Sequence, residues 1–327
     1  MTQGPVPIQV VFVLMPDSLI LDWAGPAEAL RIANQYLRAV GKPDAFELRF
    51  IGPESQTSSS VGATISQIEP LPPGLPEPAW VVLVGQPGQT VDVDSDSARQ
   101  LIGWLRGLEL APGRLELLTV CAGALLAAHA GLLDGHRATT HHQHLDELHA
   151  VAPRCETVSN RVFVVDGAVC SSAGVTTGID LFLHRIADLC GPALAAQVAQ
   201  TMVVALRRGP NDPELSPFLR FRAHLHPAIH RVQDAIGQRP QADWSLQRMA
   251  DVACTSPRHL ARLFITHAGI APLAYLRSIR IDLADAALRS GHSVTLAAEL
   301  AGFSSDTQLR RTWHQLGKAG SPAHRGH

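Results

Sequence analysis

Cysteine is scarce and unpaired in this chain. Five cysteines (Cys121, Cys155, Cys170, Cys190 and Cys254) make an odd number, and no Cys-x-x-Cys occurs. A disulfide framework is thereby excluded and a reducing compartment indicated. A strong excess of charge is also missing, since the net charge over 327 residues is only −2. No apolar stretch approaches the roughly 20 residues that span a bilayer. No basic segment followed by a long apolar run opens the sequence, so Val10 to Leu14 reads as a buried strand rather than a targeting segment. No membrane contact is expected, and the cytoplasm is the expected location. No His-Glu-x-x-His pattern occurs either. His141, His142 and His144 lie close together, but without that pattern or an adjacent cysteine no metal site is expected. No cofactor is expected.

The small net charge hides an asymmetry. Residues 218–327 hold fourteen Lys/Arg and seven Asp/Glu, whereas the remainder holds thirteen and twenty-two. A basic tail on an acidic body fits a nucleic-acid-binding end joined to a ligand- or partner-binding end.

The first two-thirds alternate strand and helix signals. Ile8–Met15, Phe46–Ile51, Ala79–Val84 and Leu115–Val120 read as strands. Helices are expected over Pro26–Val40, Leu101–Leu108, from Cys121 to Leu133, Gly178–Leu189 and Pro192–Leu206. This alternation predicts an α/β fold, a flavodoxin-like doubly wound parallel sheet sandwich. Val162 to Ser171 reads as a hairpin turning at Asp166-Gly167. The apolar run Leu181, Leu183 and Ile186 fits core packing or a dimer surface. Three prolines and a glycine in 207–217 cannot continue a helix, which places a linker there. The expected domains are 1–206, a sensor and dimerisation domain, and 218–327, an all-α DNA-binding domain.

That second domain holds two helix-turn-helix motifs. One runs from Trp244 through a turn at Cys254-Thr-Ser to His267, and the other from Val294 to Trp313. By helical phase Leu260, Leu263, Phe264 and His267 face inward, while Arg258, His259, Arg262 and Thr266 face a groove with Ser256 at the helix start. In the second unit Leu309, Trp313 and Leu316 face inward. Ser304, Thr307, Gln308 and Arg311 face outward, with Arg310 on the flank toward phosphate. Arginine suits both tasks, because its fork pairs with guanine O6 and N7 or holds a phosphate. The segment Leu273–Ser290 would form a helix of about 27 Å, near the 34 Å repeat of a major groove.

Arg258-His-Leu-Ala-Arg-Leu-Phe, Gly269-Ile-Ala-Pro-Leu-Ala-Tyr-Leu, Ile279-Arg-Ile-Asp-Leu-Ala and Ala301-Gly-Phe-Ser resemble the AraC/XylS regulator DNA-binding domain. The last helix, Phe303 to Gly317, is about one residue shorter than usual, and His324 replaces a customary tyrosine. These departures imply looser docking or a phosphate-contacting role for the second reading helix.

In the body, Val120-Cys-Ala-Gly follows a strand and opens a helix. This is the geometry of a nucleophile elbow, with backbone N–H groups and a helix start beside a sulfur. Pro16-Asp-Ser-Leu-Ile-Leu-Asp-Trp-Ala-Gly-Pro, Cys121-Ala-Gly, Gly131-Leu-Leu-Asp-Gly, Ala138-Thr-Thr-His and Ser171-Ser-Ala-Gly-Val-Thr-Thr-Gly-Ile-Asp resemble the PfpI-like, class I glutamine amidotransferase-like superfamily. Joined to an AraC/XylS tail, this is the GlxA-type arrangement. The resemblance implies that Cys121 is the elbow cysteine, Asp22 hydrogen-bonds its sulfur and His141 lies nearby. It also implies that Gly85 and Gln86 form the facing loop, and that Ala122 stands where isonitrile hydratases carry threonine. It implies a non-enzymatic regulator with a small-molecule site at Asp22, Gly85, Gln86, Cys121, Ala122 and His141. Its partners would be double-stranded DNA, a second copy in a homodimer, and RNA polymerase. The competing class is a cysteine-dependent enzyme (an isonitrile hydratase, amidase or deglycase) with a DNA-binding tail.

Overall fold

The computed structural model describes residues 6–204, 208–210, 220–222, 224–289, 291–316 and 321–322. Of the linker expected at 207–217, only 208–210 fall within this range, and His324 lies outside it. The chain divides into two compact units, Met1–Glu214 and Leu215–His327.

The first unit is built on a seven-stranded sheet. Its strands are β1 (Ile8–Val13), β2 (Phe46–Gly52), β5 (Glu69–Pro70), β6 (Ala79–Leu83), β7 (Leu115–Val120), β10 (Phe163–Asp166) and β11 (Val169–Ser172). Short side pairs are formed by β3 (Gln56–Ser58) with β4 (Thr64–Ser66), and by β8 (Arg137–Ala138) with β9 (Glu156–Thr157). The sheet order is β10-β11-β7-β6-β1-β2-β5, parallel except for the β10–β11 pair. Val10 to Val13 and all of β6 are buried, as continuous apolar runs must be when helices cover both faces of a parallel sheet. Glu116 is buried within β7 and is paired with Arg185, whose guanidinium also lies over the Trp80 ring.

The hairpin forms, but its two-residue loop is Gly167-Ala168, because Asp166 still pairs with Val169. Gly167 has φ +61, as the first position of a primed turn requires. Helices α1 (Ile20–Ala39), α2 (Asp96–Leu105), α3 (Gly123–His129), α4 (Leu145–Val151), α5 (Thr177–Cys190) and α6 (Pro192–Thr201) complete the unit. Leu181, Leu183 and Ile186 are buried in its core, so this run is not a dimer surface.

Helix α1 starts six residues before the expected Pro26. Tertiary bonds hold its entry: the Leu19 N–H donates to the Gly85 carbonyl (2.8 Å) and the Ile20 N–H to Ser60 Oγ (3.2 Å). With the first turn anchored from outside the helix, Pro26, which cannot donate a backbone bond, is accommodated inside α1.

The second unit contains α7 (Pro227–Gln238), α8 (Leu246–Val252), α9 (Pro257–Leu263), a π-helical turn at Phe264–Ala268, α10 (Pro272–Arg289), α11 (Val294–Leu300) and α12 (Asp306–Gln315). Serine caps all four short helices of the paired motifs. Ser245, Ser256, Ser293 and Ser305 each accept from the backbone N–H three residues on, satisfying donors that a helix start leaves open. The inter-helix turns place Cys254 and Gly302 at equivalent positive φ, +54 and +80.

Two separate cores lie along α10. Tyr275, Leu276 and Ile279 join the first with Ile229, Val232, Met249, Leu260 and Phe264. Ile281, Ala284 and Leu288 join the second with Phe303, Leu309 and Trp313. The 18 residues of α10 therefore make a spacer of about 27 Å, packed at both ends.

Candidate functional site

The order of strands reverses between β1 and β6, and open parallel sheets bind ligands at the carboxyl ends of strands beside such a switch. Four of these ends converge. After β1 comes Asp22, in the first turn of α1. After β6 comes Gly85, after β7 Cys121, and after β11 Gly174 and Val175. Cys121 has φ +57 and is 5 % exposed, the strained turn of an elbow. Its N–H donates to the Ser172 carbonyl (3.1 Å), and its own carbonyl accepts from Thr140 Oγ1 (2.9 Å).

Asp22 joins three of these ends. Its Oδ2 accepts from the Gly85 N–H (3.1 Å), its Oδ1 from the Val175 N–H (2.9 Å), and its carboxylate also bonds the Cys121 thiol. Burial pushes the Asp22 carboxyl from its ordinary 3.8 up to about 6, against the opposing pull of the two N–H groups and the thiol. The folded state therefore holds this proton more tightly than the unfolded chain. The contribution to stability is full below about pH 4 and is lost as the pH rises through about 6. Denaturant unfolding of the wild type should show this loss between those values. Asp22→Asn should lack that part of the slope; an identical slope in both proteins would contradict the assignment.

Glycine is required around the sulfur. A Cβ on Gly85 would lie 2.9 Å from Cys121 Cβ and 3.0 Å from Asp22 Oδ2. A Cβ on Gly174 would lie 2.5 Å from Cys121 Cβ and 2.7 Å from its Sγ, and Gly174 has φ +106. Ala122 is buried directly after the cysteine.

Gln86 does not point freely into the site, because its Nε2 donates to the Pro16 carbonyl (2.8 Å). His141 is half-buried beside Thr140, with its ring 4.2 Å from that of His142. Burial, then His142 and His144, lower its pKa from 6.5 to about 4, which keeps it neutral at pH 7. Among the described residues no group of three or more His, Cys, Asp or Glu side chains is arranged to hold a metal ion.

Gly174, Val175 and Thr140 were not singled out by sequence reasoning. Ser171-Ser-Ala-Gly-Val was legible as a motif, but the Val175 bond spans 153 positions to Asp22. A surface cleft of about 400 Å³, lined by Arg31, Asn34, Arg38 and Phe46 among others, lies at the amino ends of the strands, opposite the elbow.

The exit from this unit is tied to the elbow loop. Arg208 donates from its backbone N–H (3.0 Å) and its Nε (2.8 Å) to the buried carboxylate of Asp180, and from Nη2 to Thr176 Oγ1 (3.0 Å). Thr176 directly follows the Val175 that bonds Asp22.

In the second unit, Ser256, Arg258, Arg262 and Thr266 are exposed along α9 and its extension, and His259 is half-buried. Arg262 donates to His259 Nδ1 (2.8 Å), which fixes its fork. His267, expected inward, is exposed and its ring lies against that of His226. The π-helical turn at Phe264–Ala268 uses i→i+5 bonding, so phase counted at 3.6 residues per turn slips there. Ser304, just before α12, and Thr307, Gln308, Arg310 and Arg311 within it are exposed. Leu316, also expected inward, is 44 % exposed because the helix ends at Gln315. With Leu309 and Trp313 fully buried, α12 is nonetheless firmly docked.

A DJ-1/PfpI family model matches residues 80–188, and a helix-turn-helix domain model matches 249–317. The chain is 28 % identical over 315 residues to the HTH-type transcriptional regulator CdhR of Pseudomonas aeruginosa, covering 92 % of this chain and 87 % of that one. It is 27 % identical over 311 residues to the HTH-type transcriptional regulator GlxA of Rhizobium meliloti, covering 94 % and 92 %. In fold, it is similar to a crystal structure of an AraC family transcriptional regulator from Pseudomonas putida. That likeness covers 60 % of this chain and all of that one, with a TM-score of 0.51 at 22 % identity.

Proposed function

We infer the working of this protein from its membership of the GlxA-type regulators, in which a DJ-1/PfpI-family domain precedes an AraC-type helix-turn-helix domain. It is a DNA-binding transcriptional regulator. Its finer reading rests on one observation: two serine-capped reading helices held on one continuous spacer, each by its own core. Arg258, His259 and Arg262 read one window of a major groove, with Ser256 and Thr266 beside them. Ser304, Thr307, Gln308 and Arg311 meet the next window, and Arg310 meets phosphate. The 1–206 domain senses a small metabolite at the Cys121–Asp22 elbow and dimerises. The 218–327 domain binds the operator in the cytoplasm and presents the complex to RNA polymerase.

Arg208 supports a route for the signal. A ligand that shifts Val175 and Thr176 disturbs the group holding the start of the linker. A melting screen of the full chain against a metabolite panel tests the sensor. A compound that raises the melting temperature, and fails to do so after Cys121 is alkylated, supports the elbow as its site. A stabilising compound indifferent to alkylation places sensing elsewhere. Asp180→Asn tests the route itself. Loss of a buried carboxylate partner should speed tryptic cleavage after Arg208 about fivefold or more, since cleavage follows the open population. An unchanged rate would separate the linker from the elbow.

A further inference from the structure

One reading side chain has its hydrogen-bonding character set before any DNA arrives. Gln308 lies in the first turn of α12, on the exposed face. Its Oε1 accepts from the Ser304 backbone N–H (2.8 Å) and from Ser304 Oγ (3.0 Å). A backbone N–H only donates, so the atom facing it must be the amide oxygen; the orientation follows from chemistry. Two donors fill both lone pairs of that oxygen. The Gln308 N–H₂ group has no partner among the described residues. Its own backbone N–H is already held by Ser305 Oγ (3.2 Å), and its carbonyl by Thr312 Oγ1 (2.9 Å).

Glutamine commonly reads adenine, donating to N7 while its oxygen accepts from N6. That pairing needs a free amide oxygen, which Gln308 lacks. Meeting adenine in the usual way would take the Gln308 oxygen from the Ser304 N–H and hydroxyl and leave both donors without their acceptor. Guanine presents only acceptors at that groove edge, O6 and N7. We propose that Ser304 locks Gln308 as a donor-only reader, so that the second helix-turn-helix selects guanine over adenine at the base pair Gln308 meets. This rests on the reading of α12 as a groove-facing helix, and it gives Ser304, beside its place in that window, a positioning role toward Gln308.

The test is selection of bound duplexes from a randomised library by the full chain, for the wild type and Gln308→Glu. Glutamate keeps two acceptors for Ser304 and loses the N–H₂ donors, so the melting temperature should stay unchanged while specificity moves. At the one position whose preference depends on residue 308, the wild type should favour guanine over adenine by about tenfold. The variant should lose that preference and gain cytosine, whose N4 donates. Replacing that guanine by 7-deazaguanine should weaken wild-type binding by about fivefold and leave the variant indifferent. Adenine at that position in the wild type would overturn the proposal, as would a selected sequence identical in both proteins. A wild type with no sequence preference at any position would instead remove the groove-reading assignment beneath it.

Discussion

Trp313→Ala should destabilise the second helix-turn-helix by about 3–5 kcal/mol and remove its half of the DNA footprint. Trp313 is fully buried in a core whose other members include four alanines, so few large side chains remain to share the loss. Among the described residues, that core holds Ile281, Leu288, Phe303 and Leu309 besides the indole as large buried residues. A unit this small has a stability of the same order as the loss. The first motif has its own core around Leu260, Phe264 and Tyr275, so it should persist. Hydrogen exchange should therefore show lost protection in α11 and α12, with α8 and α9 retained. A full footprint at wild-type affinity would contradict the division of the unit into two cores.

Gly174→Val should carry a large penalty in the first unit, upward of about 3 kcal/mol. Two costs add. The backbone at φ +106 is one that a β-branched residue adopts only under strain. The new Cβ also meets the Cys121 Cβ and sulfur at 2.5 and 2.7 Å. Neither neighbour can retreat, because Cys121 is held by the Ser172 carbonyl on one side and Thr140 on the other. At about 2–4 °C per kcal/mol for a unit of this size, the melting temperature should fall by about 6 °C or more. Gly191→Val separates the two costs. Gly191 has φ +94 with nothing within 4 Å of a built Cβ, so its variant carries backbone strain alone. Equal losses at both positions would show that crowding of the sulfur contributes nothing.

Much of this architecture was legible in the residues. Strand positions came through because β6 and the Val10–Val13 stretch of β1 are covered on both faces and read as unbroken apolar runs. The elbow was visible because Cys121-Ala-Gly joins a strand directly to a helix. The paired motifs were visible because a helix-turn-helix pattern with an apolar stripe recurs twice within the basic tail. What escaped reading depends on distant partners or on local departures from ideal periodicity. Helix α1 begins at Ile20 because Gly85 and Ser60 anchor its entry, and neither is near in sequence. His267 turned outward through a π-helical turn that no residue pattern announced. Gly174 and Val175 matter through contacts with Cys121 and Asp22, and the motif around them did not say which atoms they meet. The locked amide of Gln308 depends on the backbone of Ser304, which outward-facing phase alone does not reveal.

The most direct measurement is recovery of genomic DNA fragments by the purified full chain, across a range of salt concentrations and with the footprint mapped on each. Two protected windows on one face of the duplex, centred about 10 base pairs apart, are the predicted result. Binding that weakens uniformly with salt, with no fragment preferred over random competitor at any concentration, would contradict the account.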